Sequence, residues 1–171
     1  QLREHWLTTG IKEGRPSSTI LDLRYYRDQN SDLKTAFGDN YEALYTHFIT
    51  GGYRESRKSS MLFDGNYYLK MNPDVYETMG EDYLLHYIEV GIREGLRASK
   101  AYDPDYYLSV RPDVADAWPG DYLMAARHYA GHGISDGTVA YDSKAPVISN
   151  AKISNITSAG YTVTCTIIAY A

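Results

Sequence analysis

The sequence predicts an all-α, solenoid-like array of three-helix repeats of about 40 residues, followed by a short β segment. Three observations predict it. The pattern Asp-x-x-Tyr-Tyr occurs at Asp22/Tyr25/Tyr26, Asp64/Tyr67/Tyr68 and Asp103/Tyr106/Tyr107. A His-aromatic pair with Gly five residues after the His occurs at His5/Gly10, His47/Gly52, His86/Gly91 and His128/Gly133. From Ser143 onward the composition changes to β-branched residues with Ser, Asn and Gly.

These signals divide the chain into a helical repeat domain, 1–142, and a tail, 143–171. The repeat domain holds a half unit at 1–21 and units at 22–63, 64–102 and 103–141. The half unit carries only the His-aromatic signal, so the chain reads as opening mid-repeat, as a fragment of a longer protein would.

Within a unit, Asp22, Asp64 and Asp103 suit helix N-caps, whose carboxylate accepts the free amides of the first turn. The residue before each cap is large and apolar (Leu21, Phe63, Tyr102), and Tyr26, Tyr68 and Tyr107 follow five residues on. That is the spacing of a hydrophobic staple. A second short helix follows, read as capped by Asn30 or Asn72, with Pro73 and Pro112 at a first helical position that needs no N–H donor. A longer helix is predicted at roughly 39–50, 81–90 and 120–132, ending at Gly51/Gly52, Gly91 and Gly133 as left-handed C′ residues. The apolar residue after each glycine (Ile11, Tyr53, Ile92, Ile134) fits a Schellman ending. Glu13/Arg15, Glu55/Arg57 and Glu94/Arg97 suit ion pairs between units.

In the tail, Tyr161, Val163, Cys165 and Ile167 alternate with threonines, as on a strand with one buried face. Val147–Ile156 is a second strand candidate, and Ser158-Ala159-Gly160 the turn. Two strands are marginal alone, so docking or strand pairing with another chain is expected.

Composition narrows the function. Net charge is −5, which disfavours a phosphate-neutralising nucleic-acid face. No apolar run is long enough to insert in a membrane. One cysteine allows neither an internal disulfide nor a zinc cluster. Tyrosine is abundant, 18 residues against 3 phenylalanines, which suits half-exposed binding faces and thin inter-unit packing equally.

Two resemblances follow from these residues. The second unit, with FDGNYYLKMNPDV, HYIEVG and REGLR, resembles a helical repeat found in tandem in large bacterial surface and secreted proteins and beside carbohydrate-active modules. The resemblance covers 1–142 and implies location more than activity. The tail APVISNAKISNITSAGYTVTCTI is similar to the opening of a bacterial immunoglobulin-like domain of the group B streptococcal surface-protein type. Such domains imply spacers at the surface of Gram-positive bacteria.

Candidate chemistry is sparse. The repeated histidines His5, His47, His86 and His128 read as scaffold, hydrogen-bonding a neighbouring carbonyl. His128 and His132 share a helix face but lack a third metal ligand. No phosphate loop, nucleophile elbow or paired catalytic carboxylate stands out, so no enzyme activity, metal or cofactor is expected. Aromatics outside the repeat pattern are the candidate ligand-binding residues: Tyr41, Tyr45, Tyr76, Tyr83, Trp118 and Tyr122. Tyr41 and Tyr122 lie six residues before a repeat histidine, and Tyr76 and Trp118 ten before. Sugars present flat C–H faces to rings, so an aromatic stripe suits a polysaccharide or cell-wall glycan. The expected function is therefore a non-catalytic, extracellular glycan-binding module. The alternatives are a structural spacer, which buries these rings between units, and a protein-binding adhesin module, which exposes an apolar patch.

Overall fold

A computed structural model describes residues 5–143, 147–157 and 160–168. The chain is mostly helical and divides into two compact units, Gln1–Tyr141 and Asp142–Ala171. In the first, three successive segments each fold as three helices. These are α1 (Leu23–Gln29), α2 (Ser31–Phe37) and α3 (Tyr41–Thr50); α4 (Gly65–Met71), α5 (Pro73–Met79) and α6 (Tyr83–His86); and α7 (Pro104–Val110), α8 (Pro112–Ala117) and α9 (Tyr122–His128). In the second unit, β1 (Val147–Thr157) pairs antiparallel with β2 (Gly160–Ile168), from Val147 opposite Ile168 to Thr157 opposite Gly160. The side chains expected on one face of the tail, Cys165 among them, and residues 158–159 of the expected turn lie outside the described residues.

The first helix of each segment is built by its cap. Asp22 accepts from the amides of Arg24 and Tyr25, Asp64 from Tyr67, and Asp103 from Tyr106. The staple closes behind it: the Phe63 and Tyr68 rings lie 6.0 Å apart, and those of Tyr102 and Tyr107 5.7 Å. Leu21 and Tyr26 are both buried.

Asn30 and Asn72 do not cap the second helix. Their side-chain amides turn back and donate to the carbonyls of Tyr26 and Tyr68, closing the end of the first helix instead. Pro73 and Pro112 do open α5 and α8.

The third helix ends differently from the sequence expectation. After His86 and His128 the backbone widens into π-helical turns, Tyr87–Gly91 and Tyr129–Gly133, matched by Trp6–Gly10 in the half unit. Gly52, Gly91 and Gly133 are not left-handed. The left-handed position comes four residues later, at Gly14, Ser56, Gly95 and Gly137. There the Schellman bonds form: Arg15 N–H to Gly10 C=O, Leu96 N–H to Gly91 C=O and Thr138 N–H to Gly133 C=O, at 2.8–2.9 Å. An extra turn of helix separates the packing glycine from the capping one.

The two ends of each unit are joined by a repeated backbone bond. The cap amides of Asp22, Asp64 and Asp103 donate to the carbonyls of Ser59, Ala98 and Ala140, at 2.9, 2.8 and 2.7 Å. Buried serines add a second tie: Ser60 donates to Thr19 C=O (2.6 Å) and Ser99 to Met61 C=O (2.8 Å). Each linker therefore lies against the linker before it. The expected inter-unit ion pairs are mostly local. Arg15 pairs with Glu13, and Arg57 with Glu55 and with Asp32 of its own segment. Of these arginines Arg97 reaches forward among the described residues, 3.1 Å to the cap carboxylate of Asp103. The pairs that also cross between units, Lys12–Glu42 (3.8 Å) and Arg54–Glu81 (3.5 Å), use other residues than the expected ones. Glu94 makes no ion pair among the described residues.

The core is tyrosine-rich, and one hydroxyl is out of place in it. The Tyr102 hydroxyl is buried without a hydrogen-bond partner among the described residues, where the preceding unit has Phe63. An unsatisfied buried polar group costs about 1–3 kcal/mol. Tyr102→Phe is expected to stabilise the protein by about 1 kcal/mol or more in urea unfolding. A loss of stability would show that the hydroxyl is engaged in solution.

Candidate functional site

The four repeat histidines fall into two environments. His47, His86 and His128 sit at the end of the third helix, and each Nδ1 meets the hydroxyl of the stapled tyrosine of its own segment. The distances are 3.0 Å for Tyr26–His47, 2.7 Å for Tyr68–His86 and 2.8 Å for Tyr107–His128. The partner is thus a phenol, not the carbonyl expected from the sequence. The same tyrosine ring packs edge-on against the aromatic after the histidine: Phe48, Tyr87 or Tyr129. Gly52, Gly91 and Gly133 leave room for these hydroxyls. A Cβ at Gly91 would lie 2.5 Å from the Tyr68 oxygen. His5, by contrast, is exposed. The rings of His128 and His132 are 5.2 Å apart, and no group of three metal-ligating side chains gathers among the described residues.

Five of the six candidate rings are engaged in packing. Tyr41 lies over Gly14 and Tyr122 over Gly95, where an added Cβ would come within 2.7 and 2.9 Å of the ring. The Tyr41 hydroxyl also receives a bond from Arg27 (2.8 Å), and that of Tyr122 donates to Asp105 (2.7 Å). Tyr45 meets Trp6 edge-on at 5.4 Å. Tyr83 is buried, with its hydroxyl on the Tyr53 carbonyl. Trp118 packs on His128 at 6.0 Å. Tyr76 alone of the six is largely exposed, at 56 %.

Tyr76 is also not the structural counterpart of Trp118. The middle segment is three residues shorter between cap and histidine, Asp64 to His86 against Asp103 to His128. Gly38 and Gly80 share one unusual conformation (φ 53° and 55°), which fixes the register before the gap. Met79 then matches Phe37 and Trp118, and Tyr76 matches Lys34. Counting back from the histidine hides the deletion.

A cleft that the sequence did not single out lies elsewhere in the helical unit. It holds about 540 Å³ and is lined by the linker Ser17–Ile20, by Ile88 and Ile92, and by Leu123 and Ala130, with Arg93 and Arg127 at its edge. Arg93 donates to the carbonyls of Ile88 and Glu89, and Arg127 faces the Met124 sulfur. Neither pairs with a carboxylate among the described residues. Its residues come from three separate units, so no local pattern announces it. Elsewhere Arg111 holds the exposed Asp113 carboxyl down at about 2.

No helix among the described residues is long and apolar enough to cross a membrane. Comparison with family models, with characterised proteins and with solved structures finds no match.

Proposed function

We propose that residues 5–141 form a solenoid-like, non-catalytic spacer module of an extracellular bacterial surface or secreted protein, with an immunoglobulin-like domain beginning in the tail. The observation that carries this reading is the use of the candidate rings. Tyr83 is buried, and Tyr41, Tyr45, Trp118 and Tyr122, each partly exposed, lie against neighbours between and within units, as a spacer requires. A sugar-binding stripe needs exposed, coplanar rings, and Tyr76 by itself does not make one. The serine-to-carbonyl ties, Ser60 to Thr19 and Ser99 to Met61, each run from one unit to the unit before it and support a stack in which each unit braces the next. The extracellular bacterial setting is supported by the resemblance of the second unit and of the tail.

Native affinity gels cast with starch, xylan, mucin and soluble peptidoglycan test the spacer reading. Unretarded migration in all four is expected. Retardation in one gel that disappears in Tyr76→Ala would restore glycan binding through the exposed ring. Retardation that survives Tyr76→Ala but disappears in Arg127→Ala would place a ligand in the cleft, the second reading that the unpaired arginines favour.

A further inference from the structure

The half unit, residues 5–21, carries the same fittings as the complete segments, but three of them are unfilled. In each complete segment the stapled tyrosine does two things: its hydroxyl meets the histidine, and its ring covers the next aromatic edge-on. His5 has no phenol on its ring among the described residues and is exposed. Trp6, at the position of the buried Phe48, Tyr87 and Tyr129, remains partly exposed. The third fitting is a carbonyl. Ser59, Ala98 and Ala140 each accept the cap amide of the segment before them. Ser17 holds the equivalent place, five residues before the cap Asp22 as Ser59 is before Asp64 and Ala98 before Asp103, and its carbonyl accepts no such amide among the described residues.

We propose that this half unit is a socket for the Asp-x-x-Tyr-Tyr helix pair of a further repeat unit. The occupant is specified by chemistry. It needs a phenol to reach His5 Nδ1, a ring edge to cover Trp6, and the free amide of a capping aspartate to bond Ser17 C=O. A generic amphipathic helix supplies the apolar face but neither the phenol nor the amide at the right offsets. The proposal is independent of the spacer reading, since a ligand-binding array would carry the same socket.

The test builds the occupant from the protein's own sequence. A copy of residues 61–85 is placed directly ahead of His5, in place of residues 1–4, which reproduces the Asp-to-His spacing of the middle segment. The thermal midpoint is expected to rise by about 4 °C or more. His5→Ala should lower the midpoint of the extended chain by about 2–4 °C and leave the original chain unchanged, since a single hydrogen bond is at stake. Changing the copied Tyr68 to Phe should remove that sensitivity, as a double-mutant cycle requires. An unchanged midpoint in the extended chain would overturn the proposal. So would an equal effect of His5→Ala with and without the added segment. If the extended chain aggregates, the 61–85 peptide titrated onto the full chain decides the matter. His5 ring resonances then move with this peptide and not with its Tyr68→Phe form, and a failure to move them overturns the socket.

Discussion

Alkali is expected to unfold the helical unit cooperatively between about pH 10.5 and 12. Six tyrosines, Tyr26, Tyr68, Tyr83, Tyr87, Tyr102 and Tyr107, are 2 % exposed or less. Burial pushes every one of these phenols above its ordinary value near 10, because the phenolate would lose its water. The folded state refuses ionisation that the unfolded chain accepts. Stability is therefore fully present below pH 10 and declines as pH rises beyond it. A phenol that stays protonated in the folded state withdraws about 1.4 kcal/mol per pH unit, so the four shifted furthest, Tyr26, Tyr68, Tyr87 and Tyr102, withdraw roughly 6 kcal/mol by pH 11. That is comparable to the whole stability of a domain, about 5–15 kcal/mol. Far-UV circular dichroism and phenolate absorbance, followed together, should show one coincident transition. Phenolate forming gradually through pH 10 while the helical signal stays flat would mean that these rings reach solvent without unfolding. A phenylalanine-rich core would show no such limit, so this sensitivity follows directly from the choice of tyrosine.

Why tyrosine was chosen is only half legible in the sequence. The caps Asp22, Asp64 and Asp103 and the staples behind them were readable because both ends lie within five residues, where helix geometry fixes who meets whom. The hydroxyl's partner was not readable. Tyr26 and His47 are 21 residues apart, and Tyr68 and His86 are 18, so only the return of the third helix brings them together. The glycine after the histidine fits the commoner role of a left-handed cap equally well in sequence. The π-helical turns moved that cap to Gly95 and Gly137 and left Gly91 and Gly133 to make room for a phenol oxygen. Trp118 and Tyr122 looked like exceptions to the repeat and hence like ligand contacts. They pack on His128 and over Gly95, contacts set by neighbours the local sequence does not contain. The cleft edged by Arg93 and Arg127 was invisible for the same reason.

Gly91→Ala is expected to cost about 2–3 kcal/mol, while Gly131→Ala in the next π-helical turn is neutral or slightly stabilising. The two substitutions add the same methyl group and differ in what it meets. At Gly131 nothing lies within 4 Å of the new Cβ. At Gly91 it falls 2.5 Å from the Tyr68 oxygen and 3.1 Å from the Tyr87 ring. Tyr68 has little room to retreat. Its ring is fully buried against Phe63 and Tyr87, and its hydroxyl is held 2.7 Å from His86. Overpacking of this kind costs about 1–3 kcal/mol, and displacing the hydroxyl forfeits a further 0.5–1.5 or so. The lower backbone entropy of alanine in the unfolded chain returns about 0.5–1 kcal/mol. Urea unfolding of the two variants, with Tyr68→Phe and the Tyr68→Phe/Gly91→Ala double variant, separates the contributions. Phenylalanine removes the atom the methyl group strikes, so Gly91→Ala should cost less in that background than in the native one. An equal cost in both would mean that the glycine serves the backbone of the π-helical turn, and that the phenol's fit against it is incidental.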